Sequence, residues 1–358
     1  MGGMFLTSSS SVESPVSFRC NICGGANARP RSDFGREKPS CDTCGSTVRT
    51  RGIIHMLSTE ILGIGMALPD FPVLKAVRGL GMSDSPDYAR RLAEKFDYRN
   101  TEYDREPRLD VLDPAPEHLG AYDFIVSSEV LEHVVAPVSI AFENLFRMLK
   151  PSGLLLMTVP YKPQGSTIEH FGPMDQFGLS YLGGETVLVR RDAAGRYEVI
   201  DGLVFHGGPG STLEMRVFSE ADLLGTIRSA GFSYAEVHSR AVPDFGIFQA
   251  ETWSLPIAAR KGPFQLPPDA VRGWADQWVK LRAEFVARTN WALEQEKVAN
   301  ERTEWALALD REIARLGGCI TELQSELEAA RVQAEQSAAL ERSAWVGVGR
   351  KLGLLRKS

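Results

Sequence analysis

The chain has 358 residues, 43% of them hydrophobic and 24% charged, with a formal net charge of −6. Such a length exceeds one ordinary domain and suits two or three in a soluble globular protein, while the acidic balance excludes a general surface attraction for nucleic acid. No apolar run is long enough to span a membrane, and the first twenty residues lack a basic region followed by an apolar stretch. With the cysteine usage below, this points to a reducing cytoplasm, with no transmembrane segment and no signal peptide.

Residues 1–17 are rich in serine and small residues and are predicted to be disordered. A cysteine-rich segment follows over 18–52. Of the five cysteines, Cys319 stands alone, and the other four form two pairs, Cys20-x2-Cys23 and Cys41-x2-Cys44. Two such knuckles place four thiolates at the corners of a tetrahedron about 2.3 Å from one Zn²⁺. The second cysteine of each pair is followed by glycine, which lets the backbone turn its amides toward sulfur. Four cysteine ligands leave no open coordination position, so the expected role of Zn²⁺ is structural, supplying folding energy to a module too small for its own core. From Arg19 to Arg51 there are seven basic and three acidic residues, an excess that the zinc–thiolate centre cuts further. Docking onto the chain's own following domain is therefore favoured over nucleic-acid binding.

From 53 to 265 short apolar runs alternate with helix-like stretches, as a parallel α/β sheet requires. Ala121–Ser127 reads as a strand and Pro137–Leu149 as an amphipathic helix. The turn Pro151-Ser152-Gly153 leads into a second buried strand, LLLMTVP. The breakers of Gly262–Pro268 end the domain.

Over 270–344 the composition changes to Ala, Glu, Arg, Leu and Gln. Steps of four and three from Trp274 land on Trp278, Leu281 and Phe285, and the same phase continues through Leu309, Ile313, Leu316, Ile320, Leu323, Leu327 and Ala330. This heptad seam predicts a long helix that assembles with copies of itself as a coiled coil, with an amphipathic helix folded back on its own domain as the alternative. Arg288, Gln295 and Arg302 on the seam, and Gly317-Gly318, are its weak points. Residues 345–358 combine Arg350, Lys351, Arg356 and Lys357 with Trp345 and several leucines, a basic amphipathic tail suited to an anionic membrane surface at the inner face.

The stretch Tyr122–Tyr161, YDFIVSSEVLEHVVAPVSIAFENLFRMLKPSGLLLMTVPY, resembles the central block of class I S-adenosylmethionine-dependent methyltransferases. The matching pieces are Asp123, Glu132-His133, the turn Leu149–Gly153 and Thr158-Val159-Pro160, with Ser152 replacing the first glycine of that turn. GLGMSDSPDYARRLAEKF (Gly79–Phe96) resembles the family's second strand and following helix, RLDVLD (Arg108–Asp113) the segment facing the adenine, and Leu213–Val237 the late helix–strand unit. With the ribbon and the helical tail, the whole is similar to one bacterial subfamily. The resemblance implies a Rossmann-like doubly wound sheet, preceded by the ribbon and followed by the long helix, with S-adenosyl-L-methionine as cofactor at the carboxyl ends of the strands.

The family's glycine loop is degenerate here. Its best counterpart is Glu60–Ala67, with Gly63 and Gly65 as the loop glycines; Gly79-Leu80-Gly81 is a second candidate. Gly81 occupies the usual acid position, so Asp84 is assigned to the ribose hydroxyls, with a helix cap as its alternative role. Asp110 is the adenine-side acid, and Ser127 joins the cofactor residues.

Among the six histidines, His133, His170 and His206 fall on segments that border the cleft, which makes them candidates for a base or an acceptor contact. Tyr161 is placed in the acceptor pocket, and Gly207–Gly210 reads as a lid hinge. The expected activity is O-methylation of a sugar, glycan or other small acceptor. The alternatives are a fold retained as a scaffold without catalysis and a nucleic-acid methyltransferase that uses the ribbon as a reader.

Overall fold

The computed structural model describes residues 14–174, 176–192, 194–206, 212–342 and 344–354. Most of the disorder expected over 1–17, the Gly207–Gly210 hinge and the last four residues of the tail therefore lie outside the described residues.

Strands β1 (Val16–Arg19) and β2 (Ala26–Arg29) pair antiparallel within the cysteine segment. Helix α1 (Val48–Leu62) follows, and Thr47 caps it in a reciprocal box with Thr50. Next come β3 (Leu74–Met82), α2 (Pro86–Lys95), β4 (Phe96–Thr101), β5 (Tyr122–Ser128), α3 (Ser139–Met148) and β6 (Leu149–Thr158). A run of short strands comes after them: β7 (Tyr161–Lys162), β8 (Ile168–Glu169), β9 (Phe177–Leu182), β10 (Glu185–Arg191), β11 (Tyr197–Ile200), β12 (Phe205–His206), β13 (Thr212–Leu213) and β14 (Arg216–Ser219). The unit closes with α4 (Glu220–Ser229), β15 (Tyr234–Val237) and β16 (Ile257–Arg260). Helix α5 (Pro268–Arg342) and α6 (Ala344–Lys351) complete the chain.

The main sheet has the order β15-β16-β6-β5-β3-β4. Its four strands β4, β3, β5 and β6 are parallel; β16 runs antiparallel to β6, and β15, antiparallel to β16, runs in the direction of the four. Alternate residues of the central strands enter opposite cores. Phe124, Val126, Leu154 and Leu156 pack on the side of α1 and α2, while Ile125, Leu155 and Met157 pack on the side of α3 and α4. This is a Rossmann-like doubly wound sheet, buried on both faces as its continuous apolar strands require.

The register corrects the strand assignment read from sequence. Leu74–Met82 is not the second strand but the first, lying between β4 and β5. The second strand is β4, whose alternating FDYRNT is too polar to stand out. Gly63 and Gly65 are displaced with it. Gly63 closes α1 in the left-handed conformation at φ 75°, and Gly65 packs its Cα against His55 and Phe245. Both precede β3, so neither belongs to the loop leaving its carboxyl end.

The cysteine segment shares a core with the sheet domain: Phe18, Ile22 and Phe34 pack in one cluster with Ile54, Leu57 and Phe124. Between them Arg51 is fully buried, donating to Ser46 O and Ser40 Oγ, each at 2.8 Å, and to Gly246 O at 2.9 Å. The chain divides into one compact unit through Trp278 and a second from Val279 on. In the second unit the seam residues Leu309, Ile313, Leu316, Ile320, Leu323 and Leu327 are all exposed. Among the described residues no helix is long and apolar enough to cross a membrane.

Candidate active site and metal centre

The carboxyl ends of the parallel strands align: Met82 is opposite Thr101 on one side and Ser127 on the other, and Ser127 is opposite Met157. Two non-glycine residues just beyond these tips, Ser83 (φ 55°) and Glu129 (φ 57°), adopt the left-handed conformation. Such strain persists where the surroundings over-determine it, and it clusters at functional sites.

At the tip of β3, Gly81 has no room for a side chain, since a Cβ there would lie 2.3 Å from Tyr98 Oη and 2.4 Å from Asp84 Oδ2. Asp84 is buried, and both its oxygens are engaged, Oδ1 by Tyr88 Oη at 2.7 Å and Oδ2 by Tyr98 Oη. Burial lifts its carboxyl to about 7, against the two tyrosine hydrogen bonds. It therefore anchors the β3–β4 pair instead of presenting a free acceptor, and Ser85, not Asp84, caps α2. The carboxylate that does stand at the second strand's end is Glu102, one residue past β4, with a quarter of its side chain exposed and Arg105 at 3.1 Å. Sequence reading missed it because β4 itself was missed; the polar run Asn100-Thr101-Glu102 after an aromatic alternation was the available signal. Asp110 is half-buried and folds into a local turn by accepting from Leu112 N at 2.9 Å. Ser127 is fully buried, and its Oγ has no hydrogen-bond partner among the described residues. An orphaned hydroxyl at the central tip, a backbone with no Cβ at Gly81 and a carboxylate at Glu102 fit a zwitterionic nucleoside cofactor.

The cysteine segment reaches these same tips. Arg49 Nη1 donates to Ser128 Oγ at 2.5 Å, and Arg36 Nη2 to Glu129 Oε1 at 2.7 Å. Its four sulfurs fit zinc: Cys20 Sγ and Cys44 Sγ lie 3.7 Å apart, and Cys23 Sγ and Cys41 Sγ 3.6 Å. Tetrahedral Zn–S bonds of about 2.3 Å require neighbouring sulfurs about 3.8 Å apart. Cys20, Cys23, Cys41 and Cys44 would hold the ion as a closed structural centre.

Three histidines far apart in the sequence, His133, His170 and His206, converge beyond β5. His133 follows Glu132 in a single turn after the strand, and His206 and His170 come from the small strands after β6. The segment around β14 ties them together. Met215 N donates to Glu132 O and Arg216 Nη1 to Leu131 O, both at 2.8 Å, while His170 N donates to Met215 O at 2.9 Å. Glu214 bridges two of the rings: its Oε1 meets His170 Nε2 and its Oε2 meets His206 Nε2, both at 2.9 Å. His133 and His206 meet edge to face with centroids 4.8 Å apart. Glu132 is fully buried. Burial, reinforced by the nearby Glu129 charge, holds its carboxyl far above the ordinary range. Burial pushes His133 below its usual value, so it is neutral at pH 7. Tyr161 is buried, its hydroxyl has no hydrogen-bond partner among the described residues, and burial pushes it up to about 12.

Residues 75–236 match the model of a methyltransferase domain family. No curated protein matches the chain. Among solved structures, the chain is similar to a 1,6-didemethyltoxoflavin-N1-methyltransferase of Burkholderia thailandensis, at 14% identity over 60% of this chain and 77% of the other, with a TM-score of 0.33. It is also similar to a putative S-adenosylmethionine-dependent methyltransferase of Listeria monocytogenes, at 15% identity over 60% and 99% of the two chains, TM-score 0.34, and to DesVI of Streptomyces venezuelae, at 13% over 54% and 84%, TM-score 0.30. Scores this low carry no argument. Residues 75–236 thus match a methyltransferase domain and fold as a Rossmann-like doubly wound sheet.

Proposed function

We propose that this methyltransferase acts on a hydroxyl group of a sugar, glycan or other small molecule. The observation that carries the reading is the convergence of His133, His170 and His206 on Glu132 and Glu214, just past the central strand tips. A hydroxyl acceptor must give up its proton as it is methylated, and this cluster holds groups able to take one. S-adenosyl-L-methionine supplies the methyl group when bound. Gly81 and Ser83 would lie against its amino-acid end, Ser127 Oγ would donate to it, Glu102 would accept from its ribose and Asp110 would border its adenine. The histidine cluster then faces the acceptor, and Tyr161 lines the same cleft. Much of the rate gain comes from holding acceptor and methyl in line.

The test supplies the zinc-loaded protein with S-adenosyl-L-methionine and panels of hydroxylated and amine acceptors, and follows S-adenosylhomocysteine release. Hydroxylated acceptors should turn over, and His133→Gln should lower kcat by at least about 10²-fold while leaving cofactor affinity intact. Turnover of amines alone would exclude the reading.

Two partner assignments belong to the same proposal. The exposed seam of α5 suits a coiled coil between copies of this chain, because an apolar stripe of that length is not left in water at low cost. The exposed Trp345, Leu352 and Leu354 beside Arg350 and Lys351 suit contact with an anionic membrane surface.

A further inference from the structure

Neither carboxylate oxygen of Glu132 has a hydrogen-bond partner among the described residues, although the side chain is completely buried. His133 Nε2 lies 3.6 Å and His206 Nδ1 4.0 Å from Oε1. These separations are too long for hydrogen bonds. They are close to the spacing of two donors that share one ion at about 2.1 Å from each. The three donor atoms all lie within 4.8 Å of one another.

The far side of each ring supports the same conclusion. His133 Nδ1 is 2.8 Å from the carbonyl of Leu213. A carbonyl only accepts, so Nδ1 carries the hydrogen and Nε2 turns its lone pair toward Glu132. His206 Nε2 lies 2.9 Å from Glu214 Oε2, and the nitrogen directed at Glu132 is Nδ1. A ring oriented from behind by a carbonyl or carboxylate, with its other nitrogen aimed at a shared point, is the arrangement seen around metal-ligating histidines. An imidazole lone pair set against a buried carboxylate repels it unless a proton or a cation lies between them.

We propose that Glu132, His133 and His206 bind one divalent first-row transition-metal ion. Glu214, itself gripped by His170, orients His206, and Leu213 O orients His133. Two imidazoles and a carboxylate suit Zn²⁺, Fe²⁺, Co²⁺ or Mn²⁺ better than Mg²⁺ or Ca²⁺, which prefer oxygen alone. Three protein ligands leave positions open to oxygens of an acceptor. This use of the ion rests on the reading of the cluster as the acceptor end; the binding of the ion does not.

The test titrates Co²⁺ into protein whose cysteine site is already filled with Zn²⁺. One equivalent should bind, with ligand-field absorption and no thiolate-to-cobalt charge transfer. Glu132→Gln should abolish this binding, and His206→Gln, at a half-exposed position that tolerates change, should weaken it at least about tenfold. Zinc content and melting temperature report whether each variant is folded. No binding at millimolar Co²⁺, equal binding by folded variants, or absorption of the thiolate type would each overturn the site. If Co²⁺ binds as described but no hydroxylated acceptor turns over, the site stands and the acceptor assignment fails.

Discussion

Arg49 lies in the first turn of α1, and its Nη1 donates to Ser128 Oγ at the tip of β5, 2.5 Å away. Ser128 Oγ in turn lies 2.9 Å from Thr158 Oγ1 at the tip of β6. The helix that leaves the cysteine module thus holds two of the strands that form the cofactor cleft. Removing zinc, by chelation or by Cys44→Ser, should therefore weaken binding of S-adenosylhomocysteine as well as lower the melting temperature. Arg49→Ala, with zinc retained, should reproduce the binding loss at about tenfold, the value of one hydrogen bond to a charged group. Calorimetry on both proteins checks this, and unchanged affinity in both would disconnect the module from the cleft.

Asp84 should make stability depend on pH. Burial raises its carboxyl from 3.8 to about 7 in the folded protein. Between those values the folded state binds more protons than the unfolded chain, so by linkage the contribution of Asp84 to stability falls as pH rises through that window. Melting curves should show this decline, and Asp84→Asn should flatten it. A decline of the same size in the variant would assign it to other groups.

Glu102 separates the two carboxylates by role. Glu102→Gln should lower S-adenosylhomocysteine affinity about tenfold or more with little change in melting temperature, because the side chain is partly exposed and held by a surface ion pair. Asp84→Asn should do the reverse, shifting stability more than affinity.

The close approach at Gly81 predicts a packing defect. In Gly81→Ala the new methyl meets Tyr98 Oη and Asp84 Oδ2 well inside contact distance, so the substitution should cost about 1–3 kcal/mol. Chemical denaturation gives the value directly; a variant as stable as the parent would mean that the tyrosine moves aside freely.

For the long helix, Leu316→Glu together with Leu323→Glu should convert an assembled chain to monomers in sedimentation equilibrium. The melting temperature of the sheet domain should not change, because both residues are exposed in the single chain.

The two cysteine knuckles, the buried strands around Tyr122–Ser128 and Leu149–Thr158 and the heptad stripe after Trp274 were legible in the sequence, because each is a local pattern whose spacing sets its geometry. The family block Tyr122–Tyr161 was legible for the same reason, and with it Glu132 and His133. Register is not local. Leu74–Met82 and Phe96–Thr101 are adjacent strands whose order depends on pairing with partners far along the chain, so the sequence placed the first strand second, set the glycine loop at the end of α1 and overlooked Glu102. Nor could spacing show that Asp84 faces two tyrosines instead of solvent. Each histidine was visible singly, but only the folding of β12–β14 back over Leu131–His133 brings His170, His206 and Glu214 to Glu132. That convergence is decided by burial and backbone hydrogen bonds between segments some eighty residues apart, which no short-range pattern encodes.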